Sequence, residues 1–348
     1  MTRRYRGSFV TANPPVPAGS FQNSAAGGIW SMAYQAQYRQ QGLWPIAGNV
    51  NDGTVAIFAL GYGGCTTNNK YTFSGCTVSA ATSFGTSALF PSAAGNSTAG
   101  IFALGYCRGG ARRKYTYVGC VVSTAAGATA AAYSGSAAGN STIGIFQLGY
   151  GCFGGFLTTR NKYTYASCTN GSATAATGSA GFNPAAAGNS TVGIFALSSC
   201  GVRNKYIYAG DVVSAATNAG VCQQYGSATG NSTVGIFALG RINYSCRVVT
   251  RQKYTYSGCT VSGAGAATAA SMAGAAAGNS VVGIFALGCT YVGCAFCPCT
   301  CTFYPVYSYT TTRDKYTYSG DSVTSGGAAT ASSAYGGAVS NGAEGVNR

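Results

Sequence analysis

The sequence predicts an all-β fold: a six-bladed β-propeller with four-stranded blades, preceded by a short N-terminal extension. Three observations carry that expectation. One unit recurs six times, each unit holds four short strand patterns, and charged residues make up only 7% of a chain that contains 25 Tyr and 53 Gly. Ordinary soluble proteins carry roughly 25% charged residues, so small and aromatic residues fill the gap. An apolar content of 47% argues against disorder.

The repeat sets the period. The Ile of Gly-Ile-Phe-Ala-Leu-Gly falls at Ile57, Ile101, Ile145, Ile194, Ile236 and Ile284, in steps of 44, 44, 49, 42 and 48 residues. The Lys of Lys-Tyr-Thr-Tyr-Ser-Gly falls at Lys70, Lys114, Lys162, Lys205, Lys253 and Lys315. Six residues after each Lys stands Cys76, Cys120, Cys168, Asp211, Cys259 or Asp321. Asn96, Asn140, Asn189, Asn231, Asn279 and Asn341 follow 20 or 21 residues later.

Each unit reads as four strands. Strand A is Ala-rich and ends in Gly-Asn, a dipeptide suited to a tight hairpin. Strand B is Gly-Ile-Phe-Ala-Leu, apolar without alternation, as expected where neighbours cover both faces of a sheet. Strand C is Lys-Tyr-Thr-Tyr, and strand D follows a Ser-Gly turn. The small side chains of strand A suit the crowded axis of a propeller, and four strands per 42–49 residues fit its blades. A β-solenoid with two coils per repeat is the rival reading.

The domain boundary falls where the repeat begins. Residues 1–47 do not match it and read as a linker and docking segment; residues 48–348 are the propeller. Asn49 to Ile57 is eight residues where the other units have five, while Asn341 to Val346 is again five. Residues 336–340 therefore read as a strand A without a blade of its own. They would close the ring beside residues 54–60, although a piece cut from a longer array would look the same.

These units resemble the kelch repeat. Gly-Ile-Phe-Ala-Leu-Gly stands where that family has its small–aromatic–apolar strand ending in Gly-Gly, and Asn-Lys-Tyr-Thr-Tyr-Ser where it has the strand ending near Tyr-Asp. The likeness covers residues 44–345, but the second Gly is mostly lost and the Trp of strand D is absent. Within the leader, Asn13-Pro-Pro-Val-Pro is extended. Trp30, Tyr34 and Tyr38 are spaced four apart on one helical face, and Trp44 follows. These aromatics dock a partner or cover one end of the propeller. Gly28-Ile-Trp-Ser-Met and Gln41-Gly-Leu-Trp-Pro resemble the leaders of phage tail fibre-type structural proteins, which implies other virion or surface-assembly proteins as partners.

Charge is one-sided: 20 Lys and Arg against 5 Asp and Glu, a net +15, with no His. The distance from the Leu of strand B to the Lys of strand C varies as 10, 10, 14, 8, 14 and 28 residues, and variable loops on a fixed scaffold are where binding concentrates. Lys70, Arg108, Arg112, Arg113, Lys114, Arg160, Lys162, Arg203, Lys205, Arg241, Arg247, Arg251, Lys253, Arg313 and Lys315 lie in these B–C connections or at their ends. That placement predicts a basic loop face for an acidic glycan or a phosphate-bearing host surface. No nucleic-acid-binding signature is present.

The 15 Cys suit an oxidising environment, yet the N-terminus lacks the apolar core of a secretory signal. Release by cell lysis, a signal lying outside this sequence, or a reducing compartment each reconciles the two. Recurrence in register predicts disulfides Cys65–Cys76, Cys107–Cys120, Cys152–Cys168 and Cys246–Cys259; Cys200 would turn to Cys222 where Asp211 replaces the turn cysteine. Cys289, Cys294, Cys297, Cys299 and Cys301 crowd one loop. Disulfides with one odd thiol fit that run better than a zinc site, which prefers two separated pairs, so no metal or cofactor is expected.

Without His, Ser–His–Asp and Cys–His nucleophiles are excluded, as are His-ligated metals. Asp211 and Asp321 are repeat residues rather than a catalytic dyad. Apolar runs of four to six residues fall far short of the ~20 that span a membrane. The expectation is a non-enzymatic virion-surface or extracellular adhesion module, of phage-fibre or receptor-binding type. A secreted bacterial lectin or assembly protein, and a basic nucleic-acid-associated protein, are the alternatives.

Overall fold

The computed structural model describes residues 54–342 except 63–65, 107, 179–180, 198–200, 243–245 and 298–301; of 246, 291–297 and 302–306 it describes the backbone alone. The chain divides into Met1–Asn51 and Asp52–Arg348, and the described residues belong to the second unit.

Six four-stranded antiparallel sheets form the blades. From strand A to strand D, blade 1 is Gly337–Ser340, Val55–Ala59, Asn68–Thr72 and Thr77–Ala81. Blade 2 is Ser92–Gly95, Ala99–Ala103, Arg112–Thr116 and Val121–Ala125. Blade 3 is Ser136–Gly139, Ile143–Gln147, Arg160–Thr164 and Thr169–Ala173. Blade 4 is Ala186–Gly188, Val192–Ala196, Arg203–Ile207 and Val212–Ala216. Blade 5 is Ser227–Gly230, Val234–Ala238, Arg251–Thr255 and Thr260–Ala264. Blade 6 is Ala275–Gly278, Val282–Ala286, Arg313–Thr317 and Ser322–Ser325. The A strands touch one another in sequence around the axis, the last returning to the first. The only helix among the described residues is the single 3-10 turn Val118–Cys120, and none is long and apolar enough to cross a membrane.

Blade 1 is assembled from both ends of the propeller sequence. Gly337–Ser340 pairs antiparallel with strand B, with Ala59 opposite Gly337 and Ala56 opposite Ser340. Asn341 then serves as the hairpin residue in trans: its Oδ1 accepts the Val55 N–H at 2.9 Å and its Nδ2 donates to Thr54 Oγ1 at 3.1 Å.

The apolar strand B makes sense between blades. Each Ile packs in one cluster with the Phe of the following blade: Ile57 with Phe102, Ile101 with Phe146, Ile145 with Phe195, Ile194 with Phe237, Ile236 with Phe285, and Ile284 with Phe58. Adjacent residues of strand B point to opposite faces, so both must be apolar when both faces are covered. Burying each such side chain is worth about 1.5–3 kcal/mol. The Gly before the Ile in blades 2 to 6 (blade 1 has Ala56) is dictated by the same closeness. A Cβ on Gly144 would lie 2.7 Å from the Tyr165 hydroxyl and 3.0 Å from Ala94 Cβ of the preceding blade.

The repeated Gly-Asn-Ser-Thr is turn chemistry. Asn140 Oδ1 accepts the N–H groups of Thr142 and Ile143 at 2.9 Å each. Its Nδ2 reaches the next blade and donates to the Ser190 carbonyl at 3.2 Å. Asn96, Asn189 and Asn231 repeat that clasp toward Ser141, Ser232 and Ser280.

Candidate functional site

The two ends of the propeller differ. The A–B and C–D turns are short and alike, whereas the B–C and D–A connections build the opposite end. There Cys289–Cys297 and Thr302–Tyr309 form a long hairpin. Tyr150–Gly151 pairs with Ala132–Tyr133, and Arg241–Ile242 pairs with both Gln223–Gln224 and Cys246–Arg247.

Five arginines expected on this face are structural. Arg112, Arg160, Arg203, Arg251 and Arg313 each open strand C and are at most 1% exposed. Their side chains point into the boundary with the next blade. Each guanidinium lies over the strand B Phe there, 4.4–4.5 Å from the centroids of Phe146, Phe195, Phe237, Phe285 and Phe58. The second residue of the next strand C then accepts a hydrogen bond: Asn161 at 3.2 Å, Asn204 at 3.3 Å, Gln252 at 2.8 Å, Asp314 at 2.7 Å and Asn69 at 3.1 Å. A planar guanidinium can stack and donate at once, which an ammonium cannot. Burial pushes Arg112, Arg160, Arg203 and Arg313 down to about 10, still charged near neutrality. These five side chains are inaccessible to a ligand, which corrects their assignment to a binding face.

The lysines are engaged as well. Lys114, Lys162, Lys205, Lys253 and Lys315 lie at the middle of strand C and reach the C–D turn of the next blade. Lys162 Nζ is 3.2 Å from Asp211 Oδ2, and Lys253 pairs likewise with Asp321. Lys114, Lys205 and Lys315 contact the Sγ of Cys168, Cys259 and Cys76 at 3.4, 3.7 and 3.5 Å. They serve blade boundaries rather than the loop end. Arg113 is also tied back, to the Phe84 carbonyl at 3.4 Å and Thr124 Oγ1 at 3.1 Å.

The disulfide expectation fails on topology. Cys76, Cys120, Cys168 and Cys259 are free thiols, as is Cys152. Each turn cysteine follows strand C, whereas its expected partner precedes that strand. The five residues of strand C span about 16 Å, which puts Cys152 and Cys168 at opposite ends of it, far beyond the ~7 Å limit for bridging. Cys65, Cys107 and Cys200 lie outside the described residues, as do Cys299 and Cys301; Cys246, Cys294 and Cys297 are described in backbone only. Cys289 is buried, and burial pushes its thiol up to about 11. Trp30, Tyr34, Tyr38 and Trp44 also lie outside the described residues. Among the described residues no group of three His, Cys, Asp or Glu could hold a metal.

What the loop end does present is a ring of aromatic side chains. Successive centroid distances are 5.9 Å from Phe90 to Tyr133, 5.5 Å to Tyr150, 5.7 Å to Phe182, 6.1 Å to Tyr225, 5.9 Å to Tyr335 and 4.5 Å back to Phe90. All six rings are half-buried. The D–A connection explains the ring. It enters strand A through a left-handed residue, Phe90, Ser134, Asn183, Tyr225, Ala273 or Tyr335, with φ between 43° and 59°. In five blades that residue or the one before it is aromatic; blade 6 has Met272 and Ala273. The residues next in sequence, among them Pro91, Gly135, Pro184 and Gly336, line a depression of about 50 Å³ at the axis. It is too small for an enclosed organic ligand, which needs about 300–1,000 Å³, so recognition falls to the rim.

Three cations flank the ring. Arg241 lies over Tyr225, 5.3 Å from its centroid, and donates to Gln224 Oε1 at 2.5 Å. Arg247 lies 4.8 Å from the Tyr307 centroid. Arg108 is exposed and donates to the Ser87 carbonyl at 3.2 Å. Burial raises Tyr225 and Tyr335, so these phenols stay neutral hydrogen-bonding groups at physiological pH. Sequence reasoning passed over this ring. Its signal is an aromatic five or six residues before the last residue of strand A in five of the six blades.

Fold and site together define a six-bladed β-propeller whose loop end carries an aromatic crown around the axis. Compared with protein-family models and with curated protein sequences, the chain has no match.

Proposed function

We propose that this chain is a non-enzymatic adhesion module that binds glycan on the crown at its loop end. The closed circuit of Phe90, Tyr133, Tyr150, Phe182, Tyr225 and Tyr335 carries the reading. Rigid aromatic rings offer apolar faces to the C–H faces of sugars, and tyrosine hydroxyls offer hydrogen bonds at little entropic cost. Arg108, Arg241 and Arg247 favour sugars bearing carboxylate, sulfate or phosphate. Catalysis finds little support. The described carboxylates, Asp211, Asp314 and Asp321, are each paired with a cation at a blade boundary. The kelch-like repeat and the phage-like leader favour display on a virion or in the extracellular space.

A glycan array run with the full chain tests this reading. Binding to a set of acidic glycans is expected, weakening as salt is added, and Phe182→Ala with Tyr225→Ala should remove it without moving the melting temperature by more than a few degrees. Unchanged binding by that double variant would sink the proposal. Single-stranded oligonucleotides belong on the same array, because an aromatic platform flanked by arginines also stacks bases; binding confined to them would replace the glycan reading.

A further inference from the structure

Five of the six C–D turns set a cysteine or an aspartate against a lysine of the preceding blade, and the two residue types fill one place. Cys76, Cys168, Asp211, Cys259 and Asp321 share a left-handed backbone, φ 46–57°. In the aspartate turns the carboxylate takes a lysine from the blade before and the hydroxyl of its own strand C tyrosine, Tyr206 or Tyr316. In the cysteine turns sulfur stands in that position, with Lys114, Lys205 or Lys315 within 3.4–3.7 Å. The exchange keeps the lysine contact while replacing a carboxylate with a sulfur nucleophile. The contact does put an amine against a sulfur across a blade boundary, where both are at least partly exposed.

We propose that Lys114–Cys168, Lys205–Cys259 and Lys315–Cys76 are oxidative cross-linking sites, at which a peroxide joins Nζ to Sγ as a sulfenamide. The thiol sulfur attacks a peroxide oxygen and the O–O bond breaks, leaving a sulfenic acid and one water. The lysine amine, its ammonium proton released to solvent, attacks that sulfur. The N–S bond forms, the S–O bond breaks and a second water leaves. Sulfenic acids condense with thiols and backbone nitrogens by the same electrophilic sulfur. Each link therefore oxidises sulfur by two electrons, takes two hydrogens from the protein and turns one peroxide into two waters.

The Lys315–Cys76 link has a structural consequence that the others lack. It joins blade 6 to blade 1 over a sequence separation of 239 residues, across the seam otherwise closed by the non-covalent strand Gly337–Ser340. A covalent tie over so long a loop restricts the unfolded chain and would hold the ring shut.

The full chain is exposed to hydrogen peroxide, unfolded, alkylated and digested with chymotrypsin without reductant. Peptides joining Cys76 to Lys315 are expected, lighter by two hydrogens than their sum and released by dithiothreitol, together with a raised melting temperature. Cys76→Asp reproduces the aspartate turn, so it should fold and lose that link alone; Lys315→Arg should lose it too. Thiols found as sulfinic or sulfonic acids or as disulfides, with the lysines still open to acylation, would overturn the proposal. So would an unchanged peroxide product at Cys76 in Lys315→Arg.

Discussion

The guanidinium of Arg313 lies flat over the ring of Phe58, 4.4 Å from its centroid, and so couples the last blade to the first. Only one of its nitrogens is bonded, to Asn69 Oδ1 at 3.1 Å, while Nε and Nη1 are buried without a partner. The stabilisation therefore comes mainly from stacking and packing. Arg313→Met keeps the stem and removes the buried charge; with Asn69 Oδ1 still accepting the Thr330 N–H, it should cost only about 1 kcal/mol. Arg313→Lys leaves a buried ammonium that cannot stack, and about 3 kcal/mol should be lost. Denaturant unfolding of both variants checks the order, and a Lys variant as stable as the Met variant contradicts it.

Acid sensitivity should come from the two aspartate turns. Burial alone would raise Asp211, but the Tyr206 hydroxyl, the Thr174 N–H and Lys162 outweigh it and hold its carboxyl below the ordinary value. Asp321 is lowered in the same way, its burial outweighed by Lys253 and Tyr316. A carboxyl depressed in the folded state stabilises above its unfolded pKa and loses that contribution as pH falls through the folded value. The window thus lies below about pH 4. Both ion pairs are partly exposed, so each is worth no more than about 1 kcal/mol. The double variant Asp211→Asn, Asp321→Asn should show a shallower loss of stability from pH 5 to pH 2, followed by circular dichroism in urea.

Ring closure should depend on Asn341. Its side chain replaces the hairpin that covalent connection supplies in the other blades, bonding Val55 and Thr54 of the first. Asn341→Ala is expected to cost about 1–3 kcal/mol through the buried groups it leaves unpaired. Hydrogen exchange should rise first in Val55–Ala59 and Gly337–Ser340. Uniform exchange across all six blades would mean that this seam is no weaker than the rest.

The fold was legible because the repeat fixes it: six strand B motifs at near-equal spacing mark six blades, and their unbroken apolar character states that both faces are covered. The charged residues were not legible by the same logic. Arg112 and Lys114 stand two apart, so they share one face of strand C, and that face meets the next blade rather than solvent. A sequence read blade by blade cannot show what the adjoining blade supplies. The cysteines misled for a related reason, since recurrence in register establishes equivalence between blades and not contact within one. The crown was missed because its aromatics come from two adjacent positions, Phe90, Tyr225 and Tyr335 at one and Tyr133 and Phe182 at the other, with Tyr150 from a different loop.

The strongest check on this packing is the boundary between blades 1 and 2, the one place where the arginine is missing. Blade 1 opens strand C with Asn68, whose Nδ2 donates to the Thr82 carbonyl at 2.7 Å. At the position where the next strand C elsewhere supplies Asn, Gln or Asp, blade 2 has Arg113. Both departures occur at one boundary because an arginine at 68 would face the cation at 113 with no acceptor between them. Asn68→Arg alone should therefore be destabilising, by about 3 kcal/mol for an unmatched buried charge. Arg113→Asn alone should be mild, since Arg113 is held by two peripheral hydrogen bonds. Combined, the substitutions supply a guanidinium-to-amide hydrogen bond of the kind Arg112 makes with Asn161, while Phe84 keeps its place against Phe102, 4.8 Å between centroids. Together they should recover part of the loss, a coupling of about 1–3 kcal/mol in a double-mutant cycle. Equilibrium unfolding of the four proteins measures it, and strictly additive costs would show that the guanidinium-to-amide pairing does not decide which residues blade boundaries accept.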